Sequence, residues 1–194
     1  MSLTATVFFD ELVEKCKQGD TKSYKELYHR YSKAMFNTSL RIVNNHPDAE
    51  DVLQESFLSA FSYIQDFDHS SAFGAWLKRI VINKSISLLR KRKLVMVDIH
   101  ETSVTETIDE VLHDEADVQL RVESIKKAMT ELPNGYRTVL SLVLFEHYSY
   151  EEVSGMLNIS ETTVRTQYHR GKQKLIEFLK KEVCDERQAE TIYR

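Results

Sequence analysis

The sequence has little glycine, proline or cysteine: five, two and two residues in a chain of 194. Few glycines and prolines, together with 29% charged residues, favour an all-α protein. The two cysteines, Cys16 and Cys184, lie far apart and show no metal-ligand spacing. We therefore expect ordinary thiols in a reducing cytoplasm rather than a disulfide or a metal site.

Long apolar runs are also missing. No stretch approaches the roughly 20 apolar residues that a membrane-spanning helix needs, and residues 1–10 lack the basic start and apolar run of a signal peptide. The sequence therefore predicts a cytoplasmic protein without membrane insertion. Hydrophobic residues make up 42% of the chain, which is enough for packed cores in one domain or two small ones.

Positive charge is absent from residues 94–120, which hold eight acidic residues and no Lys or Arg. This composition predicts a flexible acidic linker. The net charge of the whole chain is −4, and it becomes +4 when these eight charges are left out. We predict a first domain over residues 1–93, a second over 121–181 and a charged tail over 182–194. Because simple DNA-binding proteins are usually basic, an acidic DNA-binding chain would need a partner.

The most distinctive stretch is Ala72–Lys93, which holds the only tryptophan, Trp76, and no acidic residue. At helical spacing its apolar residues form two stripes, which indicates a helix packed on two sides. A polar ridge runs between the stripes and consists of Arg79, Asn83, Ser87 and Arg90. The ridge suits a nucleic-acid backbone, although a solvated cationic face would give the same pattern.

A predicted helix over Asp48–Ile64 has a regular apolar stripe and an opposite, acidic face. We expect that face to expose Asp48, Asp51, Gln54, Glu55 and Ser62 around a central Leu58. An exposed leucine ringed by carboxylates suits a basic partner helix. A solvated face with one stray leucine fits the pattern equally well, whereas a metal site is disfavoured because the cluster has no histidine.

The C-terminal part has the pattern of a helix-turn-helix. Ser149 and Glu152 match a capping box that opens a short helix, and Ser160 is a predicted N-cap for a long helix to about Lys181. Gly171 predicts close packing of that helix. A generic helical hairpin would show the same spacing. The outward face combines base-reading and phosphate-binding side chains: Thr162, Arg165, Thr166, His169 and Gln173, with Arg170 and Lys172 at its flanks.

Three segments, in this order, resemble the extracytoplasmic-function (ECF) sigma factors of bacterial RNA polymerase. Asp48–Phe61 is similar to the helix that binds core polymerase, Phe73–Lys93 to the −10 promoter helix, and Leu132–Leu175 to the −35 binding module. The sequence departs from the family at Ser87, where aspartate is usual. It also has Gly155 and Gly171 where alanine is common, and Asn158 where glycine is common.

The resemblance implies a factor that binds core polymerase, recognises both promoter elements and promotes strand opening, while the polymerase makes the chemical bonds. It implies no cofactor or metal, and it adds an anti-sigma protein as a further candidate partner. Polymerase contacts would be Asp48, Asp51, Gln54, Glu55 and Leu58. Contacts to the −10 element would be Trp76, Lys78, Arg79, Asn83, Ser87, Arg90 and Arg92, with the Gln65–Ser71 loop capturing a flipped base. Contacts to the −35 element would be Thr162, Thr163, Arg165, Thr166, His169, Arg170 and Lys172.

Two other functions also fit parts of the sequence. A repressor or activator that works without polymerase explains the helix-turn-helix but leaves the acidic helix face and the linker without a role. A metal nuclease would use Asp48, Glu50, Asp51 and Glu55 and would cleave DNA with magnesium, yet the sequence offers no further ligands for it.

Overall fold

A computed structural model of the chain describes residues 11–92 and 115–192. Every regular element within these ranges is helical, which confirms the predicted all-α fold. The chain divides into two compact units, Met1–Lys93 and Leu94–Arg194.

The first unit contains four helices and one short 3-10 turn. They are α1 (residues 11–17), α2 (Thr21–Val43), α3 (His46–Ser62), the 3-10 turn Ile64–Asp66, and α4 (Phe73–Lys91). The turn between α1 and α2 follows from two residues. Gly19 adopts a φ of 86°, which is open to glycine at little cost, and Asp20 caps α2 by accepting a hydrogen bond from the Ser23 N–H at 3.1 Å.

Two adjacent asparagines separate α2 from α3. Asn44 ends α2 in the left-handed conformation, with a φ of 53°. Asn45 starts α3, because its side chain accepts a hydrogen bond from the Asp48 N–H at 3.0 Å, and Pro47 lies in the first turn. The helix therefore begins at His46 rather than at the predicted Asp48, and it ends at Ser62 rather than at Ile64.

Helix α4 is packed on two sides, as its two apolar stripes predict. It contacts both α2 and α3, and Leu77, Val81 and Ile82 are fully buried. A buried hydrogen bond of 3.2 Å between the hydroxyls of Ser85 and Ser39 also joins α4 to α2. Because three helices share this core, the remaining face of α4 is fixed in direction.

The second unit contains α5 (Glu115–Glu131), α6 (Asn134–Leu140), a π-helical turn (Ser141–Phe145), α7 (Tyr150–Leu157) and α8 (Glu161–Ile192). Helix α5 begins inside the 94–120 range predicted as linker, and residues 94–114 lie outside the described chain. Helix α8 continues beyond the predicted end at Lys181 into the segment expected to be a tail. The sequence predicts one helix through Leu144, whereas the structure changes to π-helical geometry at Ser141.

Helix α8 packs against α5, α6 and α7 and so organises the second unit. The predicted close packing at Gly171 is confirmed, because a Cβ atom at this position would lie 3.1 Å from the Tyr136 Cβ. The predicted turn is also as expected: the Ser149–Glu152 capping box is formed, and Asn158 ends α7 with a φ of 55°. These features hold α7 and α8 in the helix-turn-helix arrangement.

A buried arginine that the sequence pattern did not indicate also stabilises this unit. Arg137 is almost fully buried, and its guanidinium donates hydrogen bonds to the Leu132 carbonyl at 2.6 Å and to the Asn134 side chain. Burial lowers the pKa of Arg137 to about 10. The contact with Leu132 ties α6 to the turn that follows α5, whereas the contact with Asn134 lies within α6.

Candidate functional site

The outward face of α3 presents an apolar side chain among acidic ones. Leu58 is 68% exposed, and Asp51, Gln54 and Glu55 are exposed on the same helix. The Lys84 ammonium of α4 lies 3.5 Å from the Glu55 carboxylate, at one edge of this face. We call Asp51, Gln54, Glu55 and Leu58 the acidic face.

Asp48 does not belong to the acidic face, which corrects the expectation drawn from its spacing. Asp48 is only 7% exposed, and both of its carboxylate oxygens accept hydrogen bonds from Arg92. The second of these bonds measures 2.6 Å. Arg92, which was predicted to contact DNA, therefore forms a bidentate ion pair within the unit. The pair joins the first turn of α3 to the end of α4.

The polar ridge of α4 is exposed as predicted. Arg79, Asn83, Ser87 and Arg90 all lie on the solvent side of the helix, and Lys78 is half-buried beside them. The other sides of α4 are buried, and this burial fixes the direction in which the ridge points. It presents guanidinium, amide and hydroxyl groups in one line, a combination suited to a phosphate backbone.

Trp76 lies in an aromatic cluster at the start of α4. Its ring centroid is 5.3 Å from that of Phe67 and 5.7 Å from that of Phe73. Phe67 and Phe73 are buried, whereas Trp76 is half-buried and keeps part of its ring accessible. Trp76 therefore both packs in the core and offers aromatic surface. Since Phe67 belongs to the Gln65–Ser71 loop, the cluster also anchors that loop.

A lysine on α1 holds the same loop from the other side, a contact that the sequence did not reveal. The Lys17 ammonium donates to the Phe67 carbonyl at 2.9 Å, and the Lys17 carbonyl accepts from the Gln65 amide at 2.7 Å. His69 lies 2.9 Å from the Glu14 carboxylate. This carboxylate, next to His69 and Lys17, has a lowered pKa. No local pattern could have shown this contact, because its partners lie 48 to 55 residues apart.

The outward face of α8 is exposed as predicted at Thr162, Arg165, Thr166, His169 and Lys172. Thr163 and Arg170 are half-buried at its edges, and so is Gln173. Ser160 is the N-cap, since its hydroxyl accepts from the Thr163 N–H at 3.1 Å. The Thr166 hydroxyl donates to the Thr162 carbonyl at 2.9 Å, so its oxygen remains available only as an acceptor.

Arg165 is held by two neighbours that the sequence analysis did not single out. Its guanidinium donates to the Glu161 carboxylate at 2.9 Å and lies 5.3 Å from the ring centroid of Tyr150. The Tyr150 ring is in turn 5.5 Å from that of Tyr168. The i,i+4 spacing of Glu161 and Arg165 was a visible signal for the first contact. The second depends on how α7 packs against α8.

The described part of the chain contains no group of three or more His, Cys, Asp or Glu side chains placed to hold a metal ion. No helix in the described ranges is both long and apolar enough to cross a membrane.

Comparison with known proteins accounts for both units. Residues 27–95 match the model of Sigma-70 region 2, and residues 123–175 match that of Sigma-70 region 4. The chain is 32% identical to the ECF RNA polymerase sigma factor SigW of Bacillus subtilis over 172 residues, covering 84% of this chain and 92% of SigW. The chain belongs to the ECF sigma factors. It is also 29% identical to the ECF sigma factor SigE of Mycolicibacterium smegmatis, covering 92% of this chain and 68% of that protein.

Solved structures show that this ECF sigma factor shares its fold with other sigma factors. The sigma factor RpoE of Bartonella quintana, solved with the anti-sigma factor NepR, is similar with a TM-score of 0.53 and 23% identity. That similarity covers 82% of this chain and 98% of RpoE. Family membership supports a promoter-recognising sigma factor rather than a repressor or activator that works without polymerase.

Proposed function

We propose that this ECF sigma factor binds its partners through three separate surfaces. The acidic face of α3 binds core RNA polymerase, the ridge of α4 with Trp76 holds the −10 element, and the outward face of α8 reads the −35 element. The chain itself forms no bond, and it acts in the bacterial cytoplasm together with its polymerase. The observation that carries the proposal is the exposure of Leu58 among carboxylates on the same unit as the exposed cationic ridge.

Each surface has the chemistry for its assigned partner. Carboxylates around an apolar contact complement a basic helix of the polymerase. Separated DNA strands need an aromatic surface for unstacked bases and cations for the single-strand backbone, which Trp76, Arg79 and Arg90 offer. Duplex recognition needs side chains that reach base edges from a helix in the major groove, which Arg165 and the threonines of α8 offer.

Regulation by a protein partner is part of the proposal. The structures of RpoE with the anti-sigma factor NepR and of CnrH with the cytosolic domain of CnrY have the same fold as this chain. We propose a partner of the same class here. Copurification with the tagged chain from its native cells tests this point: recovery of no partner other than polymerase would contradict it.

The test of the polymerase assignment is Leu58→Arg. We expect this variant to lose copurification with core polymerase, because a cation replaces the apolar centre of the acidic face. Reversing the charge of Asp51 and Glu55 together with lysine should have the same effect. Ala34→Arg is the matched control, since Ala34 is exposed on α2 of the same unit. If Leu58→Arg melts as the wild type does and still binds polymerase, the assignment is wrong.

A gel shift separates this function from DNA binding without polymerase. The full chain should retain a promoter duplex strongly only when core polymerase is present. The factor is acidic overall, with a net charge of −4, and so has little general attraction for DNA. Equal retention with and without polymerase would favour an independent DNA-binding protein.

A further inference from the structure

Glu161 occupies an unexpected position for an acidic residue. It is the first residue of α8, on the face that carries the −35 contacts, and it is exposed. A carboxylate there repels the phosphates of DNA, so a simple DNA-binding surface would avoid it. A negative charge does stabilise a helix N-terminus, but Ser160 already caps this helix. The contact that Glu161 makes with Arg165 gives it a second role.

The guanidinium of Arg165 is confined by that contact and by Tyr150. The Glu161 carboxylate accepts a hydrogen bond from one terminal nitrogen of the guanidinium at 2.9 Å. The face of the Tyr150 ring lies 5.3 Å away, within cation–π distance. An arginine has five N–H donors in a rigid fork, so one contact leaves other donors free. Arg165 is therefore oriented rather than neutralised.

We propose that Glu161 is a specificity-determining residue that acts through Arg165. It competes with phosphate for the guanidinium and so suppresses contact with non-specific DNA. A guanine edge, with two acceptors in the major groove, takes the free donors and leaves the Glu161 contact intact. Tyr150 supports the same orientation from α7. This inference rests on the proposed reading of the −35 element by α8.

The first measurement is the affinity of the full chain for a mixed-sequence 30-base-pair duplex across a salt series. Glu161→Gln keeps the size of the side chain and removes its charge, which frees Arg165 for a phosphate. We expect tighter binding by about fivefold at low salt and a slope of log K against log salt steeper by about 0.9, as for one added phosphate contact. Glu177→Gln removes the same charge from an exposed position farther along α8 and is the matched control.

A double variant decides whether the effect passes through Arg165. In an Arg165→Gln background, Glu161→Gln should no longer differ from the Glu177→Gln control in affinity or salt slope. If the full increase persists without the arginine, Glu161 acts as a general negative charge and the proposal is overturned. Tyr150→Phe keeps the ring face and should behave as the wild type, whereas Tyr150→Leu should shift binding in the same direction as Glu161→Gln.

The second measurement is promoter selection by the reconstituted holoenzyme. Templates carry a randomised −35 element, and the transcripts identify the sequences used. Glu161→Gln should broaden the preference at the base position that Arg165→Gln also affects, and leave the other positions unchanged. If Arg165→Gln alters no position, the proposed function of α8 fails. If Arg165→Gln alters one and Glu161→Gln matches Glu177→Gln, only the present inference fails.

Discussion

Removing the Arg92 side chain should destabilise the first unit more than an ordinary surface substitution does. Its guanidinium makes two hydrogen bonds to the Asp48 carboxylate, whose side chain is only 10% exposed. Arg92→Gln therefore leaves a largely buried carboxylate without its cation. Breaking a fully buried pair costs about 3–5 kcal/mol, and an exposed pair is worth about 0–1 kcal/mol. Because the Arg92 side chain is 45% exposed and screened by water, we expect an intermediate loss of about 1–2 kcal/mol.

The assay is urea unfolding of the full chain followed by Trp76 fluorescence. Trp76 is the only tryptophan and belongs to the first unit, so its signal reports that unit selectively. Asp48→Asn and the double variant complete a thermodynamic cycle, whose coupling energy isolates the pair from other effects of each substitution. We expect a coupling of about 1 kcal/mol or more, reduced in high salt.

A matched control separates the ion pair from general charge. Lys91→Gln removes a neighbouring exposed cation at the end of α4 and should change the unfolding free energy by less than about 0.5 kcal/mol. If the Arg92 and Asp48 substitutions are additive within about 0.3 kcal/mol, or if Lys91→Gln costs as much as Arg92→Gln, the reasoning is refuted.

Three further predictions concern the ridge, the second unit and the linker. Asn83 is exposed, and Asn83→Ala should preserve polymerase binding but slow strand opening on linear promoters. A template with a pre-melted bubble should restore activity, and failure of that rescue would contradict a role of Asn83 in melting. Gly171→Val should lower the free energy of unfolding of the second unit by about 2 kcal/mol in thermal unfolding, because even its Cβ would lie 3.1 Å from the Tyr136 Cβ. Gly171→Ala should cost less, and equal stability of the wild type and both variants would disprove the close contact. The six acidic residues from Asp98 to Asp114 lie before the start of α5, and changing all six to Asn or Gln should alter the ratio of abortive to full-length RNA. If the linker is only a passive tether, this change at constant length would leave the ratio as it was.

Sequence periodicity predicted the exposed surfaces well where the helix has a continuous apolar stripe. The ridge of α4 and the outward face of α8 lie where the spacing puts them, since each side chain's direction follows from its place in the helical turn. The same reasoning was wrong for Asp48. It lies in the first turn of α3, where the end of α4 covers a position that is polar by spacing.

The sequence by itself determined the central parts of the helices, three of their caps and the family. Asp20, Ser149 and Ser160 cap their helices through neighbours two or three residues away, and such contacts depend only on local backbone geometry. The tertiary structure alone decided which distant groups the charged side chains contact. Arg92 meets Asp48 across 44 residues, and Lys17 meets the Phe67 carbonyl across 50. Those contacts depend on how α1, α3 and α4 pack, which is set by the shape of the shared core and leaves no periodic pattern along the chain.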